Sequence, residues 1–590
     1  MGMGATNTLD RVRTSLGLEN GVEPHFRASA DVPNGGVLTA LPALIAVGLL
    51  SHTAEHFTLP RGYYGLETIF MLLALMALAR LKTVESLRYC APGEWGKLLG
   101  LDRAPEVRTV RSKIHHLTQT DAPTKWSTDL CAEWMGAAPK NAAAFYVDGH
   151  VRVYHGDDAN LPRHYVSRQK LCLRATADYW VNALGGLPFF VVHQDVDHGL
   201  IQVLQRDIVP RLLEEAPNQP TPEQLEENPL LHRFTVVFDR EGYSPKLLKE
   251  LKEQRIACLT YNKHPGDDWD VAEFVSRQVT LVSGQHVEMQ LAERGVFLGR
   301  QVWVREIRKL TESGHQTSIL STDYVGDAAT LAPGMFARWC QENYFKYMRQ
   351  EYNLDRLVTY GAEEIPDDTR VINPEYRDLD GKVRKLTSQL IRKRAELQAM
   401  NLSEVTDHPK LEMLQEKQGE LIEEVASLAE QQDDLKQKRK AVPKHITAGE
   451  LPPDQRITRL TTQSKHFIDT IKMVAYRAET AMVNVLREKM ARQDDARALI
   501  RAVYDNEADI IPCEEDKTLT VRLHHLANRS LDEPIRHLCN ELNSTETLFP
   551  GTELRLVYEL VSSSDPSPSE GSLDSIPGGA DLRTGLLANS

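Results

Sequence analysis

Ala143-Ala144-Phe145-Tyr146-Val147-Asp148-Gly149-His150-Val151-Arg152-Val153-Tyr154 is an apolar run that delivers one carboxylate and then resumes. Its first half is aromatic and β-branched enough for a buried strand. Asp148-Gly149 signals a turn, and Val151 and Val153 then alternate with Arg152 and Tyr154 as a second strand. A carboxylate ending a buried strand is costly unless it has a partner, and the strongest partner for bare carboxylates is a hard divalent cation. Standing alone, Asp148 would read as a residue that shapes a hairpin.

The design recurs in Phe234-Thr235-Val236-Val237-Phe238-Asp239-Arg240-Glu241-Gly242-Tyr243-Ser244, where a second buried strand ends in Asp239. Ser244 and Pro245 then read as the cap and first turn of a helix, which puts Asp239 at a strand-to-helix junction, a usual ligand position in α/β sheets. A third carboxylate is expected from a helix around Met335 to Arg349, where Glu342 has Arg338 four residues before it and Arg349 seven after.

Two strand-terminal Asp residues and a helical Glu in this basic setting resemble the DDE transposases of bacterial insertion sequences, of the insertion-sequence-4-like kind. Arg338, Glu342 and Arg349 match the spacing of that family's Tyr-Arg-Glu-Lys signature, with Met335 at the tyrosine position and Arg349 at the lysine position. The resemblance runs from about Pro42 to Glu559. It implies an RNase H-like catalytic core in a multidomain α/β chain, with Asp148, Asp239 and Glu342 as catalytic metal ligands. It further implies two Mg²⁺ ions per site (Mn²⁺ can substitute), ~3.5–4 Å apart, for DNA phosphodiester hydrolysis and strand transfer. Arg338, Lys346 and Arg349 would hold DNA. The implied partners are double-stranded DNA and a homodimer or larger assembly on it, in a bacterial cytoplasm at the nucleoid.

With 590 residues the chain exceeds what one core usually serves. Its seven cysteines form no CxxC pair, which fits reduced thiols and excludes a disulfide framework. A net charge of −14 opposes DNA binding in bulk, so contact with DNA must rest on local basic patches.

Residues 1–36 lack apolar periodicity and read as a flexible arm without a secretory signal. Residues 37–120 read as a helical, helix-turn-helix-like DNA-binding domain. Its apolar runs Leu38 to Leu50 and Ile69 to Ala79 are shorter than the ~20 residues a membrane span needs, so no membrane is expected. Val107, Val110 and Ile114 form one apolar stripe, leaving Arg108, Arg111 and Lys113 for phosphates or base edges. His52, Glu55 and His56 match the H-x-x-E-H pattern of zinc peptidases, and a zinc-dependent hydrolase is one rival reading. A catalytically silent DNA-binding descendant is the other.

The core's first part spans 121–262, with strands at 143–148, 150–155 and 187–193 and a helix near 199–214. The interval up to Glu342 requires an insertion, read as β-rich over 263–325, in which Trp303 among Arg300, Arg305, Arg308 and Lys309 reads either as a stacking partner for a freed base or, equally, as an edge-strand packing residue. The core resumes over 326–375 with the Glu342 helix. Heptad spacings over 376–440, interrupted at Asp407-His408-Pro409, indicate an antiparallel coiled-coil hairpin as the economical arrangement, with pairing between chains as the alternative. A C-terminal α+β module spans 441–561. The Ser- and Pro-rich tail over 562–590 is expected to be disordered.

Overall fold

The computed structural model describes residues 6–561 apart from 158, 167–168, 195, 197–198, 282–283, 337–338, 356–361 and 400–407, and gives backbone alone at 339–342, 408–411 and 454. The expected disordered tail therefore lies outside the described residues. The chain is multidomain and mixed α/β, and it divides into two units. The larger holds residues up to 152, 177–359 and 462 onward, and the smaller holds 153–176 and 360–461.

The larger unit is organised by nine strands of a ten-stranded sheet: β1 (Ala144–Val153), β2 (Leu171–Ala183), β3 (Pro188–Gln194), β4 (Thr235–Phe238), β5 (Ala257–Tyr261), β6 (Val275–Thr280), β7 (His286–Leu298), β8 (Val302–Leu310) and β9 (Gln316–Ser321). Their spatial order is β3-β2-β1-β4-β5-β9-β8-β7-β6. β4 lies parallel to both β1 and β5, while β3 runs antiparallel to β2. Val236, Val237 and Phe238 of β4 are all buried, as expected of a central parallel strand covered on both faces.

One expectation is corrected here. Asp148-Gly149 does not turn: β1 continues from Ala144 to Val153, so the two short strands are one and Asp148 sits within it. The physical reason for Gly149 is close approach, because a Cβ there would lie 3.1 Å from the Tyr179 ring. Residues 263–325 hold a β-rich segment, the four strands β6–β9. Its last strand, β9, pairs antiparallel with β5 from Ile319 to Ser321, so β6–β9 extend the core sheet.

The helix Thr462–Arg487 packs against Leu66–Leu78 and Ala122–Ala137. Phe57, Phe70, Trp126 and Phe467 meet there edge to face, with ring centroids 5.1–5.9 Å apart between Phe57 or Phe70 and its neighbours. The N-terminal helical region, the sheet and the C-terminal module thus share one hydrophobic core, not three. The arm is also more structured than expected. It holds a helix, Thr8–Ser15, and a strand, Ser29–Val32, that pairs with Ala508–Cys513 at the edge of a four-stranded sheet completed by Thr518–Leu523 and Arg555–Leu560.

In the smaller unit, the helices Pro374–Ala399 and His408–Ala441 lie antiparallel, since their contacts step in opposite directions: Asp380 with Arg439, Thr387 with Gln432, Lys393 with Glu424 and Glu396 with Lys417. The two long helices thus form a hairpin within the chain. Its connecting residues lie outside the described ones.

Candidate active site

Register brings the first two predicted carboxylates together. Val147 of β1 stands opposite Phe238 of β4 in the parallel ladder, so the next residues, Asp148 and Asp239, lie at the same level on strands ~4.8 Å apart. Both are half-buried. Asp239 is also held in place locally. Its Oδ1 accepts the Glu241 N–H at 2.8 Å, its carbonyl accepts Thr260 Oγ1 at 3.0 Å, and Gly242 leaves room for the Phe238 ring, which a Cβ would meet at 2.3 Å. Beyond it Ser244 caps the helix Pro245–Glu253 through the Leu247 N–H, as its sequence predicts.

The helix Trp339–Tyr352 carries Glu342, whose side chain, like all of Arg338, lies outside the described residues. The rest of that helix is well placed by its contacts. Asp148, His150 and Arg152 share one face of β1. The His150 ring stacks on Phe345, three residues past Glu342, with centroids 5.2 Å apart and planes 10° from parallel. His150 Nε2 lies 2.5 Å from Asp355 Oδ1, and Asp355 Oδ2 accepts Arg349 Nε at 3.0 Å. Arg349, expected on DNA, is thus ion-paired in this structure, while Lys346 is exposed. Met335, at the expected tyrosine position, is buried, and its carbonyl accepts Tyr261 Oη at 3.0 Å.

A buried ionic cluster adjoins the site. Arg152 Nε lies 2.6 Å from Asp178, and its Nη2 lies 2.5 Å from Asp469 on the Thr462–Arg487 helix. Asp178 also accepts Lys465 Nζ at 2.8 Å and has His193 Nδ1 at 2.6 Å. Burial works against the Asp178 charge, but Arg152, Lys465 and His193 prevail and hold it well below the usual carboxylate range. Burial pushes His193 and its neighbour His466 down from the ordinary histidine value. A second tie centres on Glu479, which accepts Arg80 at 2.6 Å, Tyr352 Oη at 2.7 Å, Arg497 at 3.1 Å and also Tyr347 Oη. It fastens the Glu342 helix to Thr462–Arg487. Sequence reasoning missed both clusters, because a charged residue in an amphipathic helix looks the same whether its partner is water or an ion.

The other predicted site residues are dispersed. Arg108 is exposed; Arg111 pairs with Glu85; Lys113 donates to the Pro60 carbonyl at 3.3 Å. Trp303 is 49% exposed and lies over β7, where a Cβ on Gly295 would fall 2.0 Å from its ring. Two of its four basic neighbours are engaged elsewhere. Arg305 is spent on Glu293 and the carbonyls of Asp323 and Gly326, and Arg308 is buried against Trp269 and Glu306. His52, Glu55 and His56 do not converge on one centre. The two rings are 6.5 Å apart, His52 Nε2 lies 2.7 Å from Glu133 and His56 Nε2 2.5 Å from Asp129, so each histidine has its own carboxylate. Those pairings leave the zinc-hydrolase reading without support.

A mixed α/β chain with adjacent strand carboxylates and a helix crossing the same sheet face is the class of protein this site defines. A family model described as "Transposase protein" matches residues 2–562, and the chain belongs to that family. The expectation of a transposase is met at that level. Among solved structures, a piggyBac transposase synaptic complex with hairpin DNA is similar at 12% identity and a TM-score of 0.28, covering 55% of this chain. The chain spans 66% of that protein's length. No curated protein sequence matches. Among the described residues no helix is long and apolar enough to cross a membrane.

Proposed function

We propose that this transposase binds the ends of an insertion element, cleaves the phosphodiester bond there and transfers the 3′ end to target DNA by DDE chemistry. The observation that supports this reading is the β1/β4 register, in which Asp148 and Asp239 each follow one member of the Val147–Phe238 pair. The strand order β3-β2-β1-β4-β5, with β4 parallel to β1, supports an RNase H-like core. Spacing around Glu342 supports kinship with insertion-sequence enzymes.

Carboxylates carried on neighbouring strands suit a hard divalent ion, so Asp148, Asp239 and Glu342 would hold Mg²⁺ or Mn²⁺. A bound pair of such ions would supply Lewis acidity to the attacking and leaving oxygens. Within the chain, Asp239 is oriented by the Glu241 N–H, and His150 joins the Asp148 strand to the Glu342 helix. Lys346, Arg338 and Arg349 would meet phosphates, Arg349 by exchanging Asp355 for DNA. Assembly on DNA as a homodimer or larger complex, in a bacterial cytoplasm, belongs to the same proposal.

Asp148→Ala, Asp239→Ala and Glu342→Ala should each abolish cleavage of an end-sequence duplex and leave its binding intact, because these side chains serve metal rather than DNA. Full cleavage by any one of them would sink the assignment. A wild-type protein that binds ends but never cuts with Mg²⁺ or Mn²⁺ would instead be the silent descendant.

A further inference from the structure

A groove of about 1120 Å³ opens between the N-terminal segment, the Val84–Tyr89 turn and the start of the Val107–Leu117 helix. The acids that line it are already engaged. Asp102 takes Arg11 and the Tyr63 hydroxyl, Glu94 takes Lys97, and Glu106 takes Arg103. Arg27, Arg88 and Arg108 line the same groove, are all exposed, and make no ion pair among the described residues. The groove therefore presents a surplus of positive charge on a chain whose total charge is negative. Next to Arg88, Tyr89 is 91% exposed. A ring left in water among unpaired guanidinium groups serves no packing role, yet it offers an apolar face to a partner that also carries anions.

We propose that this groove binds single-stranded DNA, with phosphates on Arg27, Arg88 and Arg108 and one unpaired base stacked on Tyr89. The inference deepens the transposase reading and rests on it, since cutting an element end yields strands that fray. A single strand fits better than a duplex because stacked pairs hide their base faces from an aromatic side chain, whereas an unpaired base presents one. It also reassigns the role expected of the Val107–Leu117 helix. Arg111 and Lys113 are tied to Glu85 and Pro60, and Arg108 is the residue of that trio that lines the groove.

The test is fluorescence anisotropy of the full chain with labelled twelve-residue oligothymidylate and a duplex of equal length. Replacing Arg27, Arg88 and Arg108 together by Ala should weaken oligothymidylate binding more than tenfold and reduce the slope of log affinity against log salt by about 2, from ~0.7 per phosphate lost. Tyr89→Ala should weaken it about tenfold with the slope unchanged, Tyr89→Phe should bind like wild type, and duplex binding should ignore both Tyr89 changes. These side chains are exposed, and an unchanged melting temperature would confirm folding. Wild-type oligothymidylate affinity in the triple variant or in Tyr89→Ala, or an equal effect of Tyr89→Ala on duplex, would overturn the proposal. Asp148→Asn separates the two readings. If it cuts, the catalytic assignment fails while the groove stands; if it is dead and the groove variants bind normally, only the groove proposal fails.

Discussion

Arg152 is 1% exposed and faces two buried aspartates, Asp178 and Asp469. Such a cluster contributes little net stability over an apolar core of the same shape, but removing one member strands the others. Arg152→Met should therefore cost about 3–5 kcal/mol, read as a lower denaturation midpoint; a loss under about 1 kcal/mol would mean that water reaches the aspartates. The histidines give the cluster a pH dependence. His193 and His466 have folded-state pKa values below the ordinary 6.5, chiefly through burial. As pH falls through about 6.5, the unfolded chain takes up protons that the folded chain refuses, so stability falls with acid. Melting temperature should drop between about pH 7.5 and 5.5, and His466→Gln should flatten part of that drop. A drop of equal size in the variant would assign it to other groups.

At the scale of elements, the site depends on how the Trp339–Tyr352 helix is seated on β1. Phe345 stacks on His150, and Asp355 holds both His150 and Arg349, so one carboxylate joins strand to helix. Asp355→Ala should slow single-turnover end cleavage by ten- to a hundredfold, the range in which small misplacements act, while end binding stays within a few-fold. Asp355→Glu should recover part of the rate. Wild-type cleavage by Asp355→Ala would show that the stack alone sets the helix. β1 itself is one strand through Asp-Gly, because pairing on both sides and the Tyr179 ring over Gly149 outweigh a local turn preference.

For the whole molecule, the larger unit draws the start, middle and end of the chain into one core, so it cannot be trimmed to its central segment without exposing the faces of Leu66–Leu78 and Thr462–Arg487. In the smaller unit the two long helices pair within the chain, leaving Ile391, Met413 and Ile422 exposed. A hairpin closed in this way cannot also supply a long parallel zipper. Light scattering should find a monomer without DNA and a complex of two proteins with two duplexes when end-sequence DNA is added. A DNA-free dimer that dissociates on deletion of residues 379–435 would show pairing between chains.

By itself the sequence determined the strands that carry Asp148 and Asp239, the Ser244-Pro245 helix start, the β-rich character after Asp239 and the two heptad-patterned helices. Each is written in local periodicity or capping chemistry, which near neighbours in the chain are enough to specify. Only the tertiary structure decided that Asp148 and Asp239 stand side by side, because strand register is a relation between segments far apart in sequence. It also decided which charges face water. Arg152, Asp178, Lys465 and Asp469 are buried together, while Arg27, Arg88 and Arg108 are left unpaired, although all seven carry equally ordinary charges in the sequence. The cost or value of a charge depends on the partners and solvent that folding brings to it, and those are set by contacts across the whole chain.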